Sequence, residues 1–325
     1  MKIARNILLG LLVLAVVIVG GGYVWLNAAY PKVSEAPDIS IERTPERIER
    51  GEYLAWHVAG CVDCHSTRDF TRFAGPVVAG TIGNGGEKFG EDMGLPGDFY
   101  APNITPTHLK DWTDGEIYRA IVSGVSKDGH PLFPIMPYPN FGRMDKEDIY
   151  AIIAYIRTLD PVENTVQKSD VKFPMNLIMR TIPSDPTHES RPSPSNKVAY
   201  GKYMITMAGC ADCHTQMVKG EPVPGMDYAG GYELPLPGGT LRSANITPDT
   251  ETGIGGWTED MFVQRFRAYT DSLYVEPELG PTDFNTIMPW FLYSRMKDED
   301  LRAIYAYLRT VKPVKNAVEH FTPKK

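Results

Sequence analysis

Cys61-Val62-Asp63-Cys64-His65 returns 149 residues later as Cys210-Ala211-Asp212-Cys213-His214, and the 325-residue chain has no other cysteine. The pattern C-x-x-C-H is the attachment signature of c-type haem. Two thiols one helical turn apart can add across the two vinyl groups of one porphyrin. A histidine directly after the second thiol then falls under the iron, where its imidazole serves as the proximal ligand. Other uses of paired cysteines fit the spacing less well. A structural zinc site needs two ligand pairs brought together, whereas here each pair carries its own histidine. A dithiol redox motif has no need of that histidine, twice over. Disulfides that join distant loops would not be spaced so tightly or so regularly. Two covalently bound haem c groups are therefore expected, on Cys61, Cys64, Cys210 and Cys213, with His65 and His214 as iron ligands.

The sequence around the motifs is duplicated. Asn103-Ile104-Thr105-Pro106 matches Asn245-Ile246-Thr247-Pro248, Trp112-Thr113-Asp114 matches Trp257-Thr258-Glu259, and Arg143-Met144 matches Arg295-Met296. Ala154-Tyr155-Ile156-Arg157-Thr158 matches Ala306-Tyr307-Leu308-Arg309-Thr310. Matched order over about 115 residues means duplication, with one haem per copy. In each copy a first helix runs into the motif, from near Arg47 into Cys61 and from about Tyr200 into Cys210. A closing helix is predicted over 146–159, where Ile149, Ile152, Ile153 and Ile156 keep the i, i+3, i+4, i+7 spacing, and Pro161 ends it. Its counterpart is predicted over 298–311, with Leu301, Ile304, Tyr305 and Leu308 on one face. Gly51 and Gly201 are expected to let the first helix cross the closing helix closely, against Tyr155 and Tyr307.

Methionine sulfur is the usual partner of histidine in electron-carrying c haems, and it raises the potential. Ile135-Met136-Pro137-Tyr138 and Ile287-Met288-Pro289-Trp290 stand 75 and 78 residues after the first cysteine of their motifs. A proline after the methionine fixes the backbone and removes an amide donor, as suits a loop that holds a thioether against iron. Met136 and Met288 are therefore the expected sixth ligands. Met144 and Met296 are also matched, but they open the closing helices and read as packing residues. No other histidine recurs in both copies. His57 and His130 lie near a motif and a methionine loop, and solvent exposure is the expected account of each. Trp112 and Trp257 could cover haem edges or donate to propionates, or simply pack.

Lys2 and Arg5 precede an uncharged run from Ile7 to Leu26. Its 20 residues span about 30 Å as a helix, the hydrocarbon thickness of a bilayer. An uncleaved anchor is expected, with a cleaved signal peptide as the alternative. The flanking cations place the N-terminus in the cytoplasm and the remainder on the periplasmic side of the inner membrane, where covalent haem attachment takes place. The segments are then residues 1–30 as transmembrane anchor, 31–44 as tether, 45–163 as first domain, 164–196 as linker, 197–319 as second domain and 320–325 as tail. The linker holds the apolar run Phe173-Pro174-Met175-Asn176-Leu177-Ile178-Met179, which is expected to pack along the two domains, with docking on a partner subunit as the alternative. A formal charge of −7 argues against nucleic acid and suits a cationic or bipolar protein partner.

Each half resembles a class I c-type cytochrome domain, on its helix into C-x-x-C-H, its methionine loop and its closing helix ending in A-Y-x-R-T. The chain also resembles the cytochrome subunits of membrane-bound alcohol, gluconate and fructose dehydrogenases. Asn245-Ile246-Thr247-Pro248-Asp249, Thr252-Gly253-Ile254-Gly255-Gly256-Trp257-Thr258 and Ile287-Met288-Pro289 carry that likeness. With the apolar run and the two motifs read above, the resemblance gives a mainly α protein, with an N-terminal transmembrane helix and two tandem class I cytochrome c domains with long loops. It implies single-electron carriage on the periplasmic face, as a subunit or anchored shuttle of a respiratory or photosynthetic chain, with membrane lipid and redox proteins as partners. A cytochrome subunit of a sugar or alcohol dehydrogenase complex, or a dihaem peroxidase, are the competing functions. A peroxidase would need an open iron position, which the matched methionines count against.

Overall fold

The protein is described by a computed structural model covering residues 2–218, 220–270 and 274–324. Met1 and Lys325, the outer ends of the expected anchor and tail, lie outside the described residues. Helix α1 (Lys2–Ala29) has no buried residue and a mean hydropathy of 2.7 in its most apolar window. At 28 residues it is long enough to cross a bilayer. Trp25 and Tyr30 pack edge-on at its C-terminal end, 5.8 Å apart, a place where aromatic rings favour the interface.

The first half contains α2 (Pro45–His57), α3 (Cys61–Cys64), α4 (Pro106–Leu109), α5 (Asp114–Ser123), α6 (Tyr138–Phe141) and α7 (Lys146–Ile156). After the short α8 (Met175–Ile178), the second half contains α9 (Lys197–Met207), α10 (Cys210–His214), α11 (Glu259–Arg267), α12 (Trp290–Tyr293) and α13 (Asp298–Leu308). The pairs α2/α9, α3/α10, α5/α11, α6/α12 and α7/α13 follow the sequence repeat. Both closing helices stop about one turn before the expected end, their last carbonyls accepting from Arg157, Thr158, Arg309 and Thr310.

In each half the first helix packs on the closing helix. The predicted faces are the buried ones, Ile149, Ile152, Ile153 and Ile156, and likewise Leu301, Ile304 and Leu308, while Tyr305 is only partly buried. Full burial of each such side chain contributes about 1.5–3 kcal/mol. A Cβ added at Gly51 would sit 1.8 Å from the Ala151 carbonyl oxygen, and one at Gly201 1.8 Å from that of Ala303. Glycine is therefore what permits the crossing. The expected neighbour Tyr155 is also met, at 2.9 Å; in the second half the nearest atoms belong to Ala303 and Ile304.

The W-T-D/E element is a helix start. Thr113 accepts from the Glu116 N–H at 3.1 Å and Glu116 reaches back to the Thr113 N–H at 2.7 Å, a capping box; Thr258 accepts from Met261 at 3.1 Å. Each such cap contributes about 1 kcal/mol.

Three small sheets were not legible in the pattern. β1 (Lys88–Phe89), β2 (Gly97–Tyr100) and β3 (Asp170–Val171) form one, β4 (Met217–Val218) and β5 (Glu221–Pro222) another, and β6 (Glu233–Leu236), β7 (Gly239–Arg242) and β8 (Phe321–Pro323) the third. All pairings are antiparallel. They tie the expected segments together. The expected tail supplies β8, and the linker supplies β3 to the first half's sheet. The tether is also pinned: Ser34 N–H donates to Asp185 Oδ1 at 2.7 Å, and Ile41 N–H to Asp114 Oδ2 at 3.0 Å. The apolar run in the linker does not pack as expected. Met179 is buried, but Phe173 is 78% exposed and Ile178 46%.

Candidate haem-attachment sites

Gly60 and Gly209, both at φ +66° and ψ 24°, turn the chain from the first helix into α3 and α10. All four cysteines are free thiols. Cys64 and Cys213 open to solvent, while Cys61 and Cys210 are partly covered against the core. Crowding by protein atoms disfavours the thiolate, pushing Cys61, Cys64 and Cys210 up to about 12 and Cys213 to about 11. A redox dithiol or a metal thiolate wants the opposite shift. Among the described residues no three His, Cys, Asp or Glu side chains group to hold a metal. Neutral, unpaired thiols spaced by one helical turn fit thioether attachment.

His65 Nδ1 donates to the Pro102 carbonyl at 2.8 Å, and His214 Nδ1 donates to the Ala244 carbonyl at 2.7 Å. A carbonyl can only accept, so Nδ1 carries the proton and Nε2 keeps its lone pair for iron. Burial lowers both imidazoles below the ordinary histidine range, which favours the neutral, ligating form.

The accepting carbonyls are held by the N-I-T-P elements, a role the sequence reading missed. Asn103 Nδ2 donates to Val162 O at 2.8 Å, while its Oδ1 accepts from the Thr105 N–H at 2.8 Å and hydroxyl at 2.7 Å. Asn245 repeats this with Val314 O at 2.8 Å and with Thr247 at 2.9 and 2.8 Å. All four side chains are buried, so each element is a fixed hydrogen-bonded post directly after the carbonyl that orients the histidine. Gly85 and Gly230 close the other side. Their N–H groups donate to the His65 and His214 carbonyls at 2.9 and 2.8 Å. With φ of +70° and +72°, a Cβ there would lie 2.5 Å from Pro102 C or Ala244 C. The recurring Asn, Thr and Gly were the available signal.

Met136 and Met288 lie partly exposed at the rim of the core, together with Cys61, Ile82, Ile104 and Trp112 in one half and Cys210, Ile246 and Trp257 in the other. Met144 and Met296, at 1% and 2% exposure, are core residues as expected. Trp112 and Trp257 pack on the rim; the Trp257 carbonyl accepts from Tyr305 at 2.6 Å and the Trp112 carbonyl from Arg157. His130 is exposed. His57 is not: it is half-buried between the halves, with Nδ1 3.2 Å from the Leu292 carbonyl in α12.

Residues 198–312 match the cytochrome c family. The whole chain is similar to the cytochrome c subunit of the quinone alcohol dehydrogenase of Gluconacetobacter polyoxogenes, 28% identical over 87% of this chain and 60% of that one. It is 30% identical to the gluconate 2-dehydrogenase cytochrome c subunit of Pantoea cypripedii, over 81% and 59%. The chain thus spans about 60% of the length of those relatives. A diheme cytochrome c-type protein of Cereibacter sphaeroides is 27% identical over 91% of this chain and 95% of its own.

Proposed function

We propose that this chain is a membrane-anchored dihaem cytochrome c, with two tandem class I domains at residues 45–163 and 197–319, that carries single electrons on the periplasmic face. One observation carries the reading: the whole histidine-orienting unit occurs twice. His65 with Pro102 O, Asn103, Thr105 and Gly85 is matched bond for bond by His214 with Ala244 O, Asn245, Thr247 and Gly230. Similarity to a diheme protein along nearly its full length supports the same count.

Cys61, Cys64, His65 and Met136 would hold one haem, and Cys210, Cys213, His214 and Met288 the other. Bound haem supplies an iron that cycles between ferrous and ferric. The chain's own part is to fix the imidazoles through Nδ1, to wall each site with apolar side chains, and to offer a thioether for the sixth position. Imidazole and thioether donors held this way by the chain would leave little to rearrange when the charge changes. Helix α1 keeps the protein at the membrane, and Lys2 and Arg5 support a cytoplasmic N-terminus.

A second reading places the chain as the cytochrome subunit of a sugar or alcohol dehydrogenase complex, which the relatives' names favour. Co-purification with a flavin or quinone subunit distinguishes it from a free-standing shuttle. The carrier reading itself is tested against a dihaem peroxidase by carbon monoxide. The reduced native protein should bind it poorly at both haems, and the oxidised protein should turn over hydrogen peroxide no faster than a simple cytochrome. Rapid stoichiometric binding at one haem contradicts the reading and assigns a catalytic site to that half.

A further inference from the structure

The halves meet through one contact made twice. Tyr53 and Tyr203 follow Gly51 and Gly201 by two residues, and Asp148 and Asp300 are each the third residue of their closing helix. The Tyr203 hydroxyl donates to Asp148 Oδ2 at 2.6 Å and accepts from the Asp145 N–H at 3.2 Å. The Tyr53 hydroxyl donates to Asp300 Oδ2 and accepts from the Lys297 N–H at 3.0 Å. Each tyrosine therefore serves as a cap for the closing helix of the other half, at its N-cap N–H. Both carboxylates are 1% exposed, and hydrogen bonds to ionised acceptors in such a setting are the strong ones.

This seam runs between the two C-x-x-C-H turns. Asn140 Nδ2 of the first half donates to Asp212 Oδ2 of the second at 2.8 Å, and Leu292 of the second lies over Gly60 of the first, 3.7 Å from where a Cβ would stand. Tyr293 donates to Ala208 O at 2.6 Å, and its hydroxyl feels Cys210 and Cys213 from one motif and Asp63 and Cys64 from the other. The clamp is not evenly backed. Asp148 also pairs with Arg50 at 3.0 Å and Arg191 at 2.7 Å, whereas Oδ1 of Asp300 is buried with no hydrogen-bond partner among the described residues.

We propose that Tyr53 and Tyr203, acting through Asp300 and Asp148, are positioning residues that lock the two haem sites in one fixed relation, so that an electron crosses the seam within the chain without a docking step. The transfer oxidises one iron by one electron and reduces the other, with no bond made and no proton moved. The proposal rests on the two-haem reading, which a mass measurement tests separately before any kinetics.

The experiment uses the full-length, haem-loaded protein in detergent. One haem is reduced photochemically and electron redistribution is followed in the native protein and in the Tyr53→Phe/Tyr203→Phe double variant. The native rate should not depend on solvent viscosity. The double variant should be slower by at least about tenfold, the low-end cost of one hydrogen bond to a charged group, and should slow further in sucrose. Both midpoint potentials and both haem spectra should stay unchanged. Asp300→Asn, which keeps an acceptor for Tyr53, should show a smaller slowing of the same kind. An unchanged, viscosity-independent rate in both variants overturns the proposal. So does a slowed rate accompanied by shifted potentials, because the tyrosines would then act on the haems rather than on their relation.

Discussion

Asp63 and Asp212 hold the same place in the two C-x-x-C-H turns, whose opening backbone angles are identical. Their surroundings differ. Asp63 is 6% exposed and pairs with Arg68 Nη1 at 2.8 Å; Arg68 also donates to Ala74 O and Gly75 O and lies over the Phe70 ring. Met217 stands where Arg68 would be, three residues after the histidine. Asp212 instead opens to solvent and receives one bond, from Asn140 of the other half. Crowding holds its carboxyl up to about 6, with Asn140 pulling it part of the way down. One turn is thus neutralised within its own half, and the other borrows a neutral partner across the seam. Duplication preserved the chemistry that a haem requires and left the rest free to diverge.

The comparison is broken most severely at the proposed sixth ligands. Met136→Ala should open or alter one haem's spectrum and leave the other intact, and Met288→Ala the reverse, each lowering one potential because the thioether favours ferrous iron. Unchanged spectra in Met288→Ala, with changes in Met296→Ala, would show that Met144 and Met296 are the ligands instead.

Arg68→Ala strands a buried carboxylate and should cost about 3–5 kcal/mol in urea unfolding. Met217→Ala, at the matched place, should cost about 1 kcal/mol or less. Equal losses would mean that the two turns are electrostatically alike after all.

The helix crossings should respond alike in both halves. Gly51→Ala and Gly201→Ala each force a methyl into a carbonyl and should cost about 1–3 kcal/mol by overpacking. A loss in one half alone would show that the crossings are not equivalent.

Asp212→Asn is identified by a pH signature. A carboxyl at about 6 in the folded state against 3.8 unfolded binds its proton more tightly when folded. Its contribution to stability is therefore greatest at or below about pH 3.8, falls as pH rises, and levels off above about 6. Unfolding curves at pH 4, 5 and 7 should lose this slope in Asp212→Asn, while the slope from Asp63, offset by Arg68, remains.

Much of this was legible because covalent attachment needs fixed spacing. C-x-x-C-H, the Ile149–Ile156 stripe and the glycine crossings are local or periodic, and they stand where the sequence puts them. The recurring Asn103 and Asn245 were visible as repeats, but their work is done on carbonyls of Val162 and Val314 far along the chain, which no spacing reveals. The two- to four-residue strands carry too little alternation to read. The Tyr53–Asp300 and Tyr203–Asp148 bonds cross between copies, so a reading within each copy could see the residues but not the pairing. His57 was misread as exposed for the same reason, since its cover comes from the other half.

The central claim is that one chain carries the same haem site twice. The mass of the mature protein, taken after denaturation in acid and organic solvent, tests it most directly. Two covalent haems should remain, and Cys64→Ser and Cys213→Ser should each weaken the attachment of one. A mass corresponding to a single haem, or to none, would contradict the account.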